Sequence, residues 1–284
     1  MSDIEILRAK LKGLKRISDP SQEERVRRAK SGFLQMVEIY FSHHVRFPET
    51  SFFRKEFYKN ADKLTRKNRN LLFKAYRGAA KTTLISRLYT IYKTAVKQEK
   101  RNAIIISATI TLSKKTLEFI RNEFEENELF IKDFGIAKGD KWTEEEIVFY
   151  SGNTPFKISV FGSGKKIRGE NWRGFRPDLI IGDDLENDEN VETKAQRDKL
   201  YNWFEKAIMK LPARGDETHN IIIVGTTLHY DSLLFRIEAR RDFKTLSYPL
   251  AREFPSNIDA DKPDLNEFIL DDSSLNKTKY WNET

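Results

Sequence analysis

The chain has 284 residues, 39% of them hydrophobic, which is enough to bury one large α/β core with a small appendage. It has no cysteine, no apolar run long enough to cross a membrane and no charged-then-apolar leader, so disulfide frameworks, thiolate metal sites, membrane spanning and secretion are not expected, and a reducing cytoplasm fits. The 51 lysines and arginines outnumber the 43 aspartates and glutamates, which suits a polyanionic partner such as nucleic acid but also an ordinary solvated surface.

Helical patterns occupy the first part of the chain. Residues 1–45 are predicted to form an amino-terminal helical segment, whose second helix starts at a capping box of Ser21 and Glu24. The apolar face of its first helix consists of Ile4, Leu7, Leu11 and Leu14, and that of the second runs from Phe33 to Phe41. Residues 51–70 mix aromatic residues with seven lysines or arginines. This pattern favours a helix on the core with a solvated basic side over a phosphate-facing surface.

From residue 71 onward, short apolar runs alternate with longer helical patterns, which is typical of a mostly parallel sheet flanked by helices. The predicted strands are 71–75, 103–107, 179–181 and 221–224, and the predicted helices are 82–98, 112–126, 192–210 and 231–240. Two more apolar runs, 147–150 and 156–161, flank turn residues and predict an added antiparallel hairpin. We therefore expect an α/β domain over residues 46–250, followed by a polar linker or tail over 251–284.

The first segment with chemical meaning runs from residue 71 to 85. An apolar strand leads into a turn of small residues, and Lys81 and Thr82 open an amphipathic helix. This is the order of a phosphate-binding P-loop, in which a lysine reaches the β- and γ-phosphates of ATP and a hydroxyl binds Mg²⁺. Ala75 and Ala80 stand where the pattern GxxxxGK(S/T) has glycine, so a plain strand-turn-helix is an equal alternative on this segment alone.

The second segment is the apolar strand that ends in Asp183 and Asp184. In a Walker B element, a strand carboxylate holds the metal and a neighbouring carboxylate orients the attacking water. We assign the metal to Asp183 and the catalytic role to Asp184, with Glu186 as the substitute. The alternative is an acidic loop that caps the helix starting near Val191. We expect Lys81 and Asp183 to meet across neighbouring strands and hold one magnesium–triphosphate.

The third segment is the buried run at 221–224, whose carboxyl end delivers Thr226 and Thr227. Ligands collect at this edge of a parallel sheet, so a threonine there can sense the γ-phosphate, although ordinary turn residues explain it equally well. A glycine-rich loop over 164–176 carries five basic residues and suits DNA phosphates, a neighbouring subunit's active site, or solvent.

The four histidines show no zinc-ligand spacing. His43 and His44 are adjacent, and His219 and His229 are isolated. Neither a zinc site nor a Ser-His-Asp triad is predicted.

Taken together, YRGAAKTT at 76–83, Arg168-Gly169, RPDLIIGDD at 176–184 and GTTLHYD at 225–231 resemble the ATPase domain of phage and prophage large terminase subunits. The resemblance covers residues 45–250 and rests on the order and spacing of the set. It implies a P-loop NTPase fold of the RecA/ASCE type that couples ATP hydrolysis, with Mg²⁺, to translocation of double-stranded DNA into an empty capsid.

The resemblance also implies roles for individual residues. The nucleotide would be cradled by the loop residues Tyr76, Arg77, Gly78, Ala79, Ala80, Lys81, Thr82 and Thr83. Arg77 would contact the γ-phosphate within its own subunit, Arg168 or Arg173 would act in trans, and Thr226-Thr227 would be the coupling motif.

The implied partners are DNA, the portal protein and the small terminase subunit, with a homo-oligomeric ring on the capsid in the host bacterial cytoplasm. The isolated chain is expected to be monomeric. Large terminases usually carry a carboxyl-terminal RNase H-like nuclease. Only 34 residues follow Leu250, too few for a nuclease core, so we expect a motor domain whose nuclease is absent. The alternatives are a helicase-like or other DNA-remodelling P-loop ATPase, and a nucleotide-independent DNA-binding scaffold with a decayed P-loop.

Overall fold

The structure is a computed structural model, which describes residues 20–45, 52–167, 169–253 and 269–270. The predicted helix containing Ile4 and Leu14 lies outside these ranges, as does Arg168. No helix among the described residues combines the length and apolar character needed to cross a membrane.

An eight-stranded sheet forms the centre of the molecule, in the order β3-β4-β5-β2-β6-β7-β1-β8. Its strands are β1 (Asn70–Ala75), β2 (Asn102–Ser107), β3 (Ile136–Trp142), β4 (Glu146–Ser151), β5 (Thr154–Gly162), β6 (Leu179–Asp183), β7 (Asn220–Gly225) and β8 (Lys244–Tyr248). The six strands from β5 to β8 in this order run parallel, while β3 and β4 extend the sheet by antiparallel pairing. The predicted mostly parallel sheet with an added hairpin is confirmed.

Helices cover both faces of this sheet. They are α1 (Gln22–Ser31), α2 (Phe33–Tyr40), α3 (Phe52–Lys67), α4 (Thr82–Tyr89), α5 (Tyr92–Val96), α6 (Ile110–Glu126), α7 (Glu128–Phe134), α8 (Asp188–Val191), α9 (Lys194–Lys206) and α10 (Leu233–Glu238). The segments α4 and α5 are π-helical and belong to one continuous helix. A small separate pair of strands, β9 (Ala251–Glu253) and β10 (Ile269–Leu270), lies in the predicted tail.

The strands supply alternate side chains to two cores. Leu71 and Phe73 of β1 pack with α1 to α7 on one face, whereas Leu72 packs with α9 and α10 on the other. This follows from the period of two in a strand, and it explains why doubly covered strands appear in the sequence as unbroken apolar runs.

Several predicted elements have different bounds in the structure. The helix predicted through Phe33 is interrupted at Gly32, whose extended backbone (φ −172°) separates α1 from α2. The predicted helix over 192–210 ends as α9 at Lys206 and continues as a short 3₁₀ turn, Ile208–Lys210. The elements β3, β8 and α7 were not predicted. Most side chains of β3 are exposed or half-buried, so no apolar alternation marked it.

The register places the functional segments at one edge of the sheet. Asp183 of β6 lies opposite Ser107 of β2 and Val224 of β7, and Val224 in turn lies opposite Phe73 of β1. The carboxyl ends of these four strands therefore line up, so the turns that follow them meet at a common edge.

Candidate active site

A cleft of about 450 Å³ opens at this carboxyl edge. Its walls come from the turn after β1 with the start of α4, from the segment joining β2 to α6, and from the segments after β6 and β7. The lining residues are Arg77, Gly78, Ala80, Lys81, Thr82, Thr83, Ala108, Leu112, Asp184, Glu186, Asn187, Asp188, Thr226 and Leu228. Residues from all three segments singled out in the sequence thus share one cavity.

The turn between β1 and α4 has the backbone of a tight loop despite its two alanines. Ala75 is the last residue of β1 and keeps ordinary strand geometry, so a side chain is tolerated there. Gly78 (φ +88°) and Ala80 (φ +63°) both have left-handed backbone conformations. Only one of the two departures from the glycine pattern is therefore strained, by about 1–2 kcal/mol for an alanine in this region.

Lys81 projects from the start of α4 toward the end of β7. Its Nζ donates to the backbone oxygen of Tyr76 and to Oγ1 of Thr226, each at 2.9 Å, and the residue is only 6% exposed. Burial lowers the pKa of the lysine, while the carboxylates of Asp184 and Asp183 oppose this shift. The ammonium group is thus held at the base of the cleft by two oxygen acceptors.

Thr82 and Asp183 form a hydroxyl–carboxylate pair beside this lysine. Thr82 Oγ1 donates to Asp183 Oδ1 at 3.1 Å. Burial, and secondly the charge of Asp184, raise the pKa of Asp183 to about 6. The strands β1 and β6 are not neighbours, because β7 lies between them, so the expectation that Lys81 and Asp183 meet across adjacent strands is wrong in that detail. The side chains of Thr82 and Asp183 nevertheless meet, because the start of α4 contacts β6 directly.

The two acidic candidates for water activation have different surroundings. Asp184 is exposed in the cleft at a left-handed backbone position (φ +43°), and its Oδ1 accepts from the backbone N–H of Thr226 at 3.3 Å. Glu186 is 7% exposed, and its Oε1 accepts from the backbone N–H of Leu233 at 2.5 Å. Burial raises the pKa of Glu186, opposed by that bond at the start of α10. The geometry favours Asp184 as the carboxylate available to solvent.

The structure brings some of the other predicted residues to the cleft but not all. Arg77 and Thr83 line it, and no hydrogen bond or ion pair holds the Arg77 side chain within the described part of the chain. Tyr76 contributes its backbone oxygen to Lys81, as described above. Ala79 is fully buried, with its N–H directed to the oxygen of Tyr76 at 3.4 Å, so it supports the turn rather than lining the cleft. Thr227 is exposed and lies outside the lining set.

Thr226 is the hydrogen-bonding junction of the site. Its hydroxyl donates to the backbone oxygen of Ala75 at 3.1 Å and accepts from Lys81, and its N–H contacts Asp184. One threonine thus connects the turn between β1 and α4 with the carboxylate that follows β6.

The arginine-bearing loop lies elsewhere. Trp172 and Phe175 pair across a tight turn that presents Arg173, whose guanidinium stacks 5.0 Å from the Trp172 ring centroid. The side chain of Asn102, the first residue of β2, donates to the Phe175 oxygen at 3.0 Å. Asn102 is at the amino end of β2, and the strand is roughly 16 Å long. The cleft lies at the other end of β2, so this turn lies at the amino edge of the sheet. Arg173 therefore does not reach the cleft of its own subunit.

Other residues at the site were missed from the sequence. The N–H of Ala108 donates to the backbone oxygen of Asp184 at 3.1 Å, and Leu112 on the first turn of α6 completes the wall. The position of both residues directly after β2, a predicted strand of the same sheet, was the available signal. Arg87, further along α4, has a pKa lowered by burial, and the charge of Asp183 opposes that shift. Nothing in the P-loop pattern marks it.

The parallel sheet, the helix that follows the loop and the Lys81, Thr82 and Asp183 cluster define a P-loop type of α/β fold, as predicted. Among the solved structures that resemble the chain is the large terminase of bacteriophage HK97, with 13% identity, 84% of this chain and 46% of that chain covered, and a TM-score of 0.53. A second similar structure is the Thermus phage P74-26 large terminase ATPase domain, with 11% identity, 65% of this chain and 76% of that chain covered, and a TM-score of 0.45. A third is the Phi-28 gp11 DNA packaging motor, with 12% identity, 73% of this chain and 63% of that chain covered, and a TM-score of 0.39.

The chain spans about half the length of the HK97 protein. No protein-family model matches the sequence, and no curated protein matches it. At the level of fold, the likeness to large terminases that the motifs predicted is confirmed.

Proposed function

We propose that this chain is the ATPase motor domain of a large terminase, which hydrolyses ATP to translocate double-stranded DNA into a viral procapsid. The observation that carries the proposal is the convergence of Lys81, Thr82 and Asp183 at one cleft. This convergence occurs in a fold shared with the HK97 large terminase. A buried lysine is usually paired with a carboxylate, whereas Lys81 is held by neutral oxygens beside a buried carboxylate, which is the arrangement expected of a functional site.

The donor groups of the cleft fit a magnesium–triphosphate. The Lys81 ammonium is held by neutral oxygens, which a phosphate oxygen can replace without loss of a salt bridge. Thr82 and Asp183 offer the hydroxyl and carboxylate oxygens that Mg²⁺ prefers. When bound, Mg²⁺ would neutralise charge on the β- and γ-phosphates. Its charge would also favour the ionised form of Asp183.

The residues of this chain divide the work of hydrolysis as follows. Lys81 and the backbone N–H groups at the start of α4 bind and orient the phosphates. Asp184, exposed beside them, orients the attacking water and accepts its proton. Arg77 supplies a cation at the mouth of the cleft. Thr226 reports the state of the phosphates, because any movement of Lys81 changes the bonds that this threonine makes to Ala75 and Asp184.

A row of lysines on α3 offers a surface for DNA. Lys55, Lys59, Lys63 and Lys67 recur every four residues and line a groove of about 1040 Å³, larger than the nucleotide cleft. Successive members lie about 6 Å apart along the axis, and each like-charged pair costs a few tenths of a kcal/mol. The opposite side of α3 is buried through Phe53 and Phe57, which is the predicted core helix with a basic side. A polyanion in the groove would relieve the repulsion.

The proposal extends to the assembly. In a homo-oligomeric ring on the capsid, Arg173 or Arg168 of one subunit would reach the cleft of its neighbour, and the portal protein and the small terminase subunit would be partners in the host bacterial cytoplasm. The position of Arg173 far from its own cleft supports a role in trans. The proposed domain division is residues 46–250 as the ATPase domain, 1–45 as an amino-terminal helical segment and 251–284 as a linker or tail.

The test compares two buried lysines. Lys81→Ala should abolish ATP turnover while the far-ultraviolet circular dichroism stays native, because the lysine's work is phosphate contact. Lys100→Ala is the matched control. Lys100 is also buried (5% exposed), but it lies just before β2, and its Nζ donates to the backbone oxygen of Thr218. This variant should retain turnover. Normal turnover in Lys81→Ala would remove the P-loop assignment. DNA binding by a wild-type protein without any turnover would favour the nucleotide-independent scaffold.

A further inference from the structure

Two histidines and a glutamate from distant parts of the sequence meet on the surface near the carboxyl end of α6, which is the end away from the cleft. His43 and His44 form the 3₁₀ turn Ser42–His44 that follows α2, and Glu123 lies near the end of α6. Oε1 of Glu123 is 3.3 Å from Nε2 of His43 and 2.5 Å from Nε2 of His44. One donor atom from each residue lies within 4.8 Å of the others.

The carboxylate of this cluster is held in place by a neighbour. Nδ2 of Asn127 donates to Oε2 of Glu123 at 2.8 Å and to the backbone oxygen of Tyr40 at 2.8 Å. Asn127 thus occupies one carboxylate oxygen and leaves Oε1 directed at the histidines. Outer hydrogen bonds of this kind orient the ligands of metal sites.

The histidines are also positioned, and the cluster is open on one side. The His44 ring packs on Phe119, with centroids 4.3 Å apart, and Phe119 lies one helical turn before Glu123 on α6. The His43 side chain is 54% exposed, whereas that of Glu123 is 9% exposed. Water therefore has access to the outer side, where a fourth ligand would bind.

From this geometry we propose that His43, His44 and Glu123 bind a divalent transition-metal ion, with Zn²⁺ as the best match. Two imidazole nitrogens and a carboxylate oxygen are ligands that Zn²⁺ accepts, and hard ions such as Mg²⁺ prefer oxygen alone. Donor atoms around a tetrahedral zinc ion lie about 3.3 Å apart, because each bond is about 2.0–2.1 Å long. The His43–Glu123 distance already has this value, and the His44–Glu123 contact would lengthen.

Such an ion would join the end of the amino-terminal helical pair to α6, a helix that packs on the central sheet. The site is independent of the nucleotide cleft, so its failure would leave the proposed function untouched, and the reverse also holds. The ordinary alternative is a hydrogen bond between His44 and Glu123 without any metal.

Calorimetric titration of Zn²⁺ into tag-free, chelator-stripped protein tests the proposal. We expect one saturable site, and Co²⁺ in its place should give the visible absorption bands of a four-coordinate ion. His44→Ala and Glu123→Gln should abolish this site, and Asn127→Ala should weaken it by about 10–100-fold, as loss of an outer partner does. His43→Ala provides a second ligand variant at an exposed position in case the others fail to fold.

Two controls separate this site from other metal ligands. His219→Ala removes a histidine whose ring bonds the backbone oxygen of Asp216 in its local turn, and Asp183→Asn removes the carboxylate proposed for Mg²⁺. Both variants should bind Zn²⁺ as the wild type does. The absence of a saturable site, or a site that survives His43→Ala and Glu123→Gln, would refute the metal and leave the hydrogen bond as the explanation.

Discussion

Replacing Ala80 by glycine should stabilise the protein, although most alanine-to-glycine changes destabilise. Ala80 has a left-handed backbone conformation, with φ +63°, in the turn that precedes Lys81. Alanine pays about 1–2 kcal/mol there that glycine avoids. Glycine in turn gives the unfolded chain more freedom, which costs about 0.4–1 kcal/mol. The methyl group is half-buried at the cleft wall, so its loss adds little. The net expectation is about 0.5–1 kcal/mol of stabilisation.

The neighbouring residue provides a matched control. Ala79 is fully buried, and its φ is not positive. Ala79→Gly therefore gains nothing from the backbone, loses a buried methyl worth about 0.8 kcal/mol and adds about 0.5–1 kcal/mol of chain entropy cost. We expect destabilisation of about 1.3–1.8 kcal/mol. Two identical changes at adjacent positions should thus have opposite signs.

Thermal and urea unfolding of the wild type and the two variants would measure this difference. Because 1 kcal/mol corresponds to roughly 3 °C for a domain of this size, Ala80→Gly should melt about 2 °C higher and Ala79→Gly about 5 °C lower. ATP turnover should persist in Ala80→Gly, since the backbone N–H groups keep their places. Equal destabilisation by both changes would show that Ala80 is not left-handed, and the account of the loop would be wrong.

Three further predictions concern the charged groups. Burial, and secondly the charge of Asp184, raise the pKa of Asp183 to about 6, against about 3.9 in the unfolded chain. Between these values the folded state binds a proton that the unfolded state has lost. The free energy of unfolding without nucleotide should therefore fall by up to about 3 kcal/mol as pH rises from 4 through 6. Urea unfolding across that range should show the slope, and Asp183→Asn should flatten it. In single-turnover hydrolysis, Asp184→Asn should slow chemistry by about 10²–10⁴-fold. Glu186→Gln should chiefly lower the free energy of unfolding, by about 1 kcal/mol, because it weakens the hydrogen bond at the start of α10. If only this variant stops hydrolysis, the assignment of Asp184 as the carboxylate that activates water is wrong. Lys59→Glu should lower DNA affinity and reduce the slope of log affinity against log salt concentration by about 1. Lys206→Glu, at an exposed position on α9, makes the same change in net charge and should have a much smaller effect on both quantities.

The sequence predicted the sheet and the cleft because both depend on local patterns. Doubly buried strands give unbroken apolar runs, and the parallel arrangement sends the turn after each strand to the same edge. Once 71–75, 179–181 and 221–224 were identified as parallel strands, Lys81, Asp183 and Thr226 were expected at the same edge of the sheet. The hairpin followed in the same way from its turn residues. Edge strands such as β3 and β8 lack two buried faces, so the same reasoning missed them.

What the sequence could not give was the pairing between distant side chains. No pattern near Glu186 predicts that its carboxylate accepts a hydrogen bond from the start of α10. No pattern near Glu123 predicts its contact with two histidines that lie about 80 residues earlier. The strand order could not be predicted from local patterns either, because the placement of β7 between β1 and β6 depends on the packing of all the helices. The edge on which Arg173 lies also had to be observed, because the loop from β5 to β6 crosses the whole length of the sheet.

The alanine at position 80 shows how the proposed phosphate loop can depart from the usual glycine pattern. A strained backbone conformation persists only when its surroundings fix it. Here Ala79 is anchored in the core on one side. On the other side the oxygen of Ala80 accepts the N–H of Leu84 in the following helix, and Lys81 is tied to Thr226. These contacts hold the turn in the conformation that glycine would adopt more easily. The lysine and the hydroxyl keep the positions proposed for phosphate and metal. The backbone conformation of the turn, and not the identity of residue 80, is therefore what the proposed phosphate loop requires.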